Sequence, residues 1–195
     1  MSQIDEQRLI AKLKRRDCRA FEQLVLRYQG HVYNFIYRMI GSREEAQDLA
    51  QEVFVSIFKN IDGFRGDSTL TTWIYRITSN HCKNRRKYLG RRRVERPMNP
   101  ENENAEMASE HIPVAMGVSR PDQLVEGYQT ESLIQRAIAE LDEEQRAILV
   151  LRDIQSVSYE DISEITGLPL GTVKSRLHRA RMTLKDKLAP HLRDK

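Results

Sequence analysis

Residues 157–184 read VSYEDISEITGLPLGTVKSRLHRARMTL. Ser158 stands where an N-cap is needed, Asp161 follows three residues later, and Val157 and Ile162 occupy staple positions around them, so local chemistry fixes a helix start. Gly167 can end that helix, because only glycine enters the left-handed conformation without a steric cost, and Pro169 is tolerated at the start of the next one. Two helices joined by a glycine-containing corner make a helix-turn-helix. On the second helix Val173, Leu177, Ala180, Leu184 and Leu188 share one face and must pack inward. The opposite face carries Thr172, Ser175, His178 and Arg179, flanked by Lys174 and Arg176. That short-polar and basic mixture suits a DNA major groove, where hydroxyls and arginines reach base edges while lysines and arginines hold phosphate. A helix-turn-helix packed only against protein is the blander alternative, yet Gly171, Thr172, Ser175 and His178 contribute little to a solubilising surface. Charge follows the same division. Residues 131–164 hold nine acids and three bases, whereas 165–195 hold two acids and eight bases, so the second helix is drawn to nucleic acid and its scaffold is not.

Upstream the chain also reads as helix. Phe21, Leu24, Val25, Tyr28, Val32, Phe35, Ile36 and Met39 recur at three and four, and Gly41 can stop that helix. Ser42 with Glu45 forms a capping box for a second helix, whose stripe is Ala46, Leu49, Ala50, Val53, Phe54, Ile57, Phe58 and Ile61. The run DGFRGDST breaks the pattern into a loop, after which Trp73, Ile74 and Ile77 resume helical spacing. Between Gly90 and Glu131 the periodicity disappears, and Pro97, Pro100, Pro113 and Pro121 fall among Asn, Glu and Ser, the composition of a flexible linker. Beyond it Leu133, Ile134, Ala137, Ile138 and Leu141 form an amphipathic helix, and Asp142 caps the next with Gln145 at the capping-box position. The expected fold is all-α: two small helical domains, 1–92 and 129–195, joined by a flexible linker over 93–128, the second containing the helix-turn-helix.

With 39% hydrophobic and 31% charged residues, the 195-residue chain has the composition of a soluble globular protein. Its longest apolar run, AILVL at 147–151, is too short to cross a bilayer, and the first residues lack the apolar core of a signal peptide. The expected compartment is the cytoplasm, without membrane insertion. Cys18 and Cys82 have neither disulfide-framework nor zinc spacing, and the five histidines form no metal-binding pair, so neither metal nor cofactor is expected. The net charge of +4 is modest but uneven. From Arg76 to Arg96 nine bases face a single acid, Glu95, an electrostatic footprint for phosphate whose alternative is a solvated helix end.

GTVKSRLHRAR after SYEDISEITGLP, with DLAQEVF and FRGDSTLTTWIYRITSNHCKN upstream, resembles the extracytoplasmic-function group of bacterial sigma factors, closest to the envelope-stress type. The resemblance covers nearly the whole chain outside the linker. It implies that the DLAQEVF helix docks on core RNA polymerase through Asp48, Leu49, Gln51, Glu52 and Phe54. It implies next that the loop and helix from Phe64 open the minus-10 promoter element and hold its melted strand, through Phe64, Arg65, Asp67, Ser68, Trp73, Arg76, Asn80, Lys83 and Lys87. Extruding a base costs a few kcal/mol, which a pocket and a basic groove along the freed strand offset. Arg76, Asn80, Lys83 and Lys87 lie on one helical face, while Trp73 also continues the apolar pattern. The minus-35 element would be read as duplex by Thr172, Lys174, Ser175, Arg176, His178 and Arg179, with Arg176 or Arg179 placed to grip a guanine and Lys174 a phosphate. The resemblance further implies a linker that threads the polymerase, an anti-sigma partner that clamps both domains, and no small-molecule substrate.

Two other readings compete. A free-standing helix-turn-helix regulator would bind palindromic duplex as a dimer without polymerase. A nuclease would hold Mg²⁺ on Asp48 and Glu52, but the spacing supplies no convincing third oxygen ligand or general base. The chain is therefore expected to act without catalysis of its own.

Overall fold

The computed structural model of the protein describes residues 3–95 and 121–192, and these form eight α-helices and no strand. The N-terminal domain contains α1 (Gln3–Lys14), α2 (Cys18–Ile40), α3 (Arg43–Asn60) and α4 (Leu70–Glu95), with a 3₁₀ turn at Ile61–Gly63. The C-terminal domain contains α5 (Pro121–Ala139), α6 (Glu143–Leu149), α7 (Tyr159–Thr166) and α8 (Leu170–Leu192). Between α6 and α7 the backbone widens into one π-helical segment, Val150–Ile154.

The helix ends follow the side chains that can satisfy them. Ser42 Oγ accepts from the Glu45 amide, Asp142 from that of Gln145 and Ser158 from that of Asp161, so each expected N-cap removes an orphan donor. Asp17 caps α2 in the same way through the amides of Arg19 and Ala20. Gly41 and Gly167 close α2 and α7 at φ +90° and +71°, where a side chain would be strained. Helix enters the span read as linker from both sides, since α4 runs to Glu95 and α5 begins at Pro121. The rest of the linker, 96–120, lies outside the described residues.

Leu24, Val32, Phe35 and Ile36 from α2 pack with Leu49, Val53 and Ile57 from α3 and Leu70 and Ile74 from α4, all essentially sealed from solvent. Ile138, Ile148, Leu149, Ile162, Val173 and Leu177 do the same in the C-terminal domain. The two sets join in one continuous apolar cluster, so the two domains pack against each other. Cys82 is inside it, where burial pushes its thiol up to about 12, while Cys18 is exposed. No described helix is long and apolar enough to cross a membrane.

Candidate nucleic-acid interface

The loop before α4 turns at Gly66, φ +83°, and leaves Arg65 and Asp67 exposed and Ser68 half-buried. Phe64 faces inward, and its ring meets Trp73 edge-on at 5.4 Å between centroids. Trp73 is itself partly buried on the core. Thr69 Oγ1 accepts from the Thr72 amide at 3.1 Å, and Glu6 of α1 accepts from the Leu70 amide at 2.9 Å, so two oxygens close the first turn of α4. Glu6 was not marked by any local pattern, because its partner lies 64 residues away.

Along α4 the basic face is presented by a rigid rod roughly 39 Å long at 1.5 Å per residue. Asn80 and Lys87 are exposed, and Arg76 and Lys83 half-buried. Arg76 carries an ion pair with Glu164 of α7, and the Thr72 hydroxyl donates to Asp161 of the same helix at 2.7 Å. The C-terminal domain thus reaches α4 at Thr72 and Arg76, while Asn80 and Lys87 stay exposed further along the helix.

The α3 candidates separate by depth. Asp48, Gln51 and Glu52 are exposed, whereas Leu49 is 1% and Phe54 9% exposed, so those two hold the helix in place while the polar three face outward. Glu52 is held by Arg85 of α4 at 2.6 Å, and Glu45 by the same guanidinium at 2.5 Å. Both carboxylates raise the Arg85 pKa against the burial that opposes them. Val55, one turn beyond Gln51 and 51% exposed, adds an apolar side chain to that outer face. Its signal in the sequence is an apolar residue out of register with the buried stripe.

The reading helix α8 keeps Val173, Leu177 and Ala180 buried and leaves Lys174, Ser175, His178 and Arg179 exposed, with Thr172 half-buried. Its corner is locked where Ser163 Oγ donates to the Leu168 carbonyl at 2.6 Å. Arg181 forks onto Asp153 at 2.9 and 2.5 Å, a two-point contact that fixes the roll of α8 against the π segment. The ring of Tyr159 lies between Arg152 and Lys174, 4.6 and 5.8 Å from its centroid. The two arginine candidates differ. Arg176 is half-buried and ion-paired with Glu144 of α6, while Arg179 projects into solvent. No group of three or more potential metal-ligating side chains occurs among the described residues.

Residues 24–92 match the Sigma-70 region 2 family and residues 131–184 the Sigma-70 region 4 family. The RNA polymerase sigma-H factor of Pseudomonas aeruginosa is 35% identical over 194 residues, covering 100% of this chain and 99% of that protein. The ECF RNA polymerase sigma-E factor of Escherichia coli is 34% identical over 192 residues, 98% of each. Among solved structures, the sigma factor RpoE of Bartonella quintana, in complex with the anti-sigma factor NepR, superposes with a TM-score of 0.65 at 25% identity, covering 87% of this chain and 96% of that one. CnrH, in complex with the cytosolic domain of CnrY, superposes with a TM-score of 0.66 at 22% identity over 95% and 97% of the two chains, a likeness of fold. With relatives that match it from end to end and both Sigma-70 regions in their expected order, the chain belongs to the extracytoplasmic-function group of RNA polymerase sigma factors.

Proposed function

We infer that the protein is a promoter-specificity subunit that docks on core RNA polymerase through the outer face of α3 and brings two separate DNA-binding faces to one promoter. The observation that carries this is the presence, in one chain, of a basic face on α4 and an exposed polar reading face on α8, supported by sigma factors that match the chain over its full length. Asp48, Gln51, Glu52 and Val55 are the polymerase contacts. Arg65, Asp67 and Ser68 with Arg76, Asn80, Lys83 and Lys87 follow the melted minus-10 strand, while Phe64 and Trp73 support that loop from beneath. Thr172, Lys174, Ser175, His178 and Arg179 meet the minus-35 duplex. Linking the two DNA contacts makes the second effectively intramolecular, so two weak modules suffice together. The polymerase supplies the chemistry.

Regulation by an anti-sigma protein fits the same surfaces, and two structural neighbours were solved in complex with such partners or a cytosolic partner domain. Action in the cytoplasm follows from work on polymerase. The test is a gel shift and a run-off transcription assay with core RNA polymerase, on promoters located by sequencing RNA 5′ ends after expression of the protein. Promoter binding and initiation should require protein and polymerase together. Tight binding to palindromic duplex by the protein alone would replace this reading with a free-standing regulator. Asp48→Ala should weaken polymerase binding while the helix stays folded.

A further inference from the structure

The loop that carries Arg65, Asp67 and Ser68 has little of its own to fix it. It turns at Gly66, and from Phe64 to Thr69 its one buried side chain is Phe64. Both of its ends are instead held by the same outside element. Helix α1 lies on the domain core through Leu13, 3% exposed, with Leu9 and Ile10 packed beside it. From α1 and the corner that follows it, one charged side chain reaches each end of the loop.

At the entry, Arg16 donates to the Phe58 carbonyl in the last turn of α3 and to the Asp62 carboxylate of the 3₁₀ turn, and its guanidinium lies 5.0 Å from the centroid of the Phe58 ring. The first of these contacts satisfies a carbonyl that the end of α3 leaves without a helical partner. The backbone at Arg16 takes φ +61°. Its amide donates to the Leu13 carbonyl at 3.0 Å and that of Asp17 to the Lys12 carbonyl at 3.1 Å, a helix-ending corner that glycine makes without steric cost. A long side chain kept in that strained region points to work done by the side chain. At the exit, a Glu6 carboxylate oxygen accepts from the amide of Leu70 at 2.9 Å. Leu70 opens α4 and is itself sealed from solvent, and an ionised acceptor on a helix-terminal amide makes one of the stronger hydrogen bonds. Tyr28 of α2 adds a bond to Thr71 at 2.8 Å, so the first turn of α4 is fixed from two sides. Neither Glu6 nor Arg16 falls within 24–92 or 131–184, the residues that match the two Sigma-70 regions.

Resting on the assignment of this loop to the melted minus-10 strand, we propose that Glu6 and Arg16 are positioning residues for promoter melting: Arg16 holds the entry of the loop and Glu6 its exit, so that Arg65, Asp67 and Ser68 meet the extruded base in one arrangement. Neither residue touches DNA in this scheme. Both act by raising the fraction of molecules whose loop is ready for the base, and the apparent affinity for the flipped nucleotide scales with that fraction. Discrimination follows the same fraction, because a loop that samples several shapes fits a wrong base nearly as well as the right one.

The test uses the full chain bound to core RNA polymerase on a promoter mapped by RNA 5′ ends, with permanganate footprinting of unpaired thymines to time strand opening. Arg16→Gly suits it, because glycine keeps the corner without strain and removes only the side chain. Glu6→Ala removes the acceptor and leaves a strong helix former, and Glu6→Gln keeps an oxygen for the Leu70 amide. Arg16→Gly and Glu6→Ala should each slow opening by about three-fold or more and flatten the preference among promoters substituted base by base in the minus-10 element. Polymerase affinity, preference among minus-35 substitutions and helical content by circular dichroism should stay as they are, and Glu6→Gln should recover most of the loss. Normal opening and minus-10 preference in both variants, an equal loss of preference at minus-35, or Glu6→Gln as defective as Glu6→Ala would overturn the brace. An unaltered protein that directs no initiation with polymerase would refute the promoter-subunit reading. An active one whose two variants open promoters normally would refute the brace alone.

Discussion

Arg176 and Arg179 are neighbours on one turn of the reading helix with identical chemistry, and their surroundings give them different work. The guanidinium of Arg176 is spent on Glu144, so its geometry is set by α6, and Arg179 is the one free to fork onto a guanine. Arg179→Ala should cost ~1–3 kcal/mol of discrimination at one minus-35 position. Arg176→Ala should cost less discrimination and about 1 kcal/mol or less of stability. Holoenzyme titrations on promoters substituted base by base, alongside urea unfolding, measure both. The cysteines differ by environment in the same manner. Burial, with Glu143 adding to it and Arg86 opposing it, pushes the Cys82 thiol up to about 12, whereas Cys18 is exposed. Because the thiolate is the reactive form, an alkylating reagent at neutral pH should modify Cys18 promptly and Cys82 only at the rate at which the fold opens. Mass spectrometry of the labelled peptides would show it. Spacing made both arginines equal candidates, because an ion pair to a residue 32 positions earlier leaves no mark on helical periodicity.

At the scale of elements, caps and stripes were legible because they depend on residues within a turn of each other. Ser42, Asp142 and Ser158 cap where their spacing says they should, and Gly41 and Gly167 take the left-handed backbone their positions demand. The π segment at Val150–Ile154 was not legible, since widening a helix by one residue is decided by what the next side chains must reach. Helix α4 carries a titration of its own. His81 is half-buried, and burial holds its pKa below 6.5, with Glu52 pulling it up and Arg85 adding to the depression. As the pH falls through 6.5 the unfolded chain takes a proton that the folded chain refuses, so this histidine removes stability on acidification and is without effect well above that pH. His81→Gln should flatten the loss between about pH 7 and about pH 5.5, by at most ~1.4 kcal/mol per pH unit. Urea midpoints of both proteins across that range are the measurement.

For the whole molecule, sequence alone resolved two helical bodies and a change of charge sign, but gave no way to see how the bodies meet. Glu131, Glu143 and Glu164 read as acids of a scaffold that DNA avoids, and in the structure each faces an arginine of the other domain. Gln135 and Gln155 carry no local signal, and their roles exist only once distant segments are brought together. Arg146 is the plainest case. Burial, reinforced by the nearby Arg86, lowers its pKa to about 10, so it remains a cation at neutral pH, and its charge is dispersed over carbonyls of both domains. Arg146→Met should destabilise the protein by roughly 2–4 kcal/mol by leaving those oxygens without donors. Arg146→Lys should recover only part of that, since an ammonium cannot span the same fork. Thermal unfolding of the three proteins compares them.

The widened turn at Val150–Ile154 has a consequence for rotation. One surplus residue there offsets everything downstream by roughly 100° about the helix axis relative to a regular α-helix. Removing a single residue from that turn would let the spiral close normally and swing Gln155 away from Tyr75 and His31. The corner and the reading helix would keep their own shape yet lose their bearing on the rest of the protein, much as a key cut correctly but mounted askew in its bow. A chain shortened by that one residue should therefore retain helical content while failing at promoters, which circular dichroism and transcription assayed side by side would reveal.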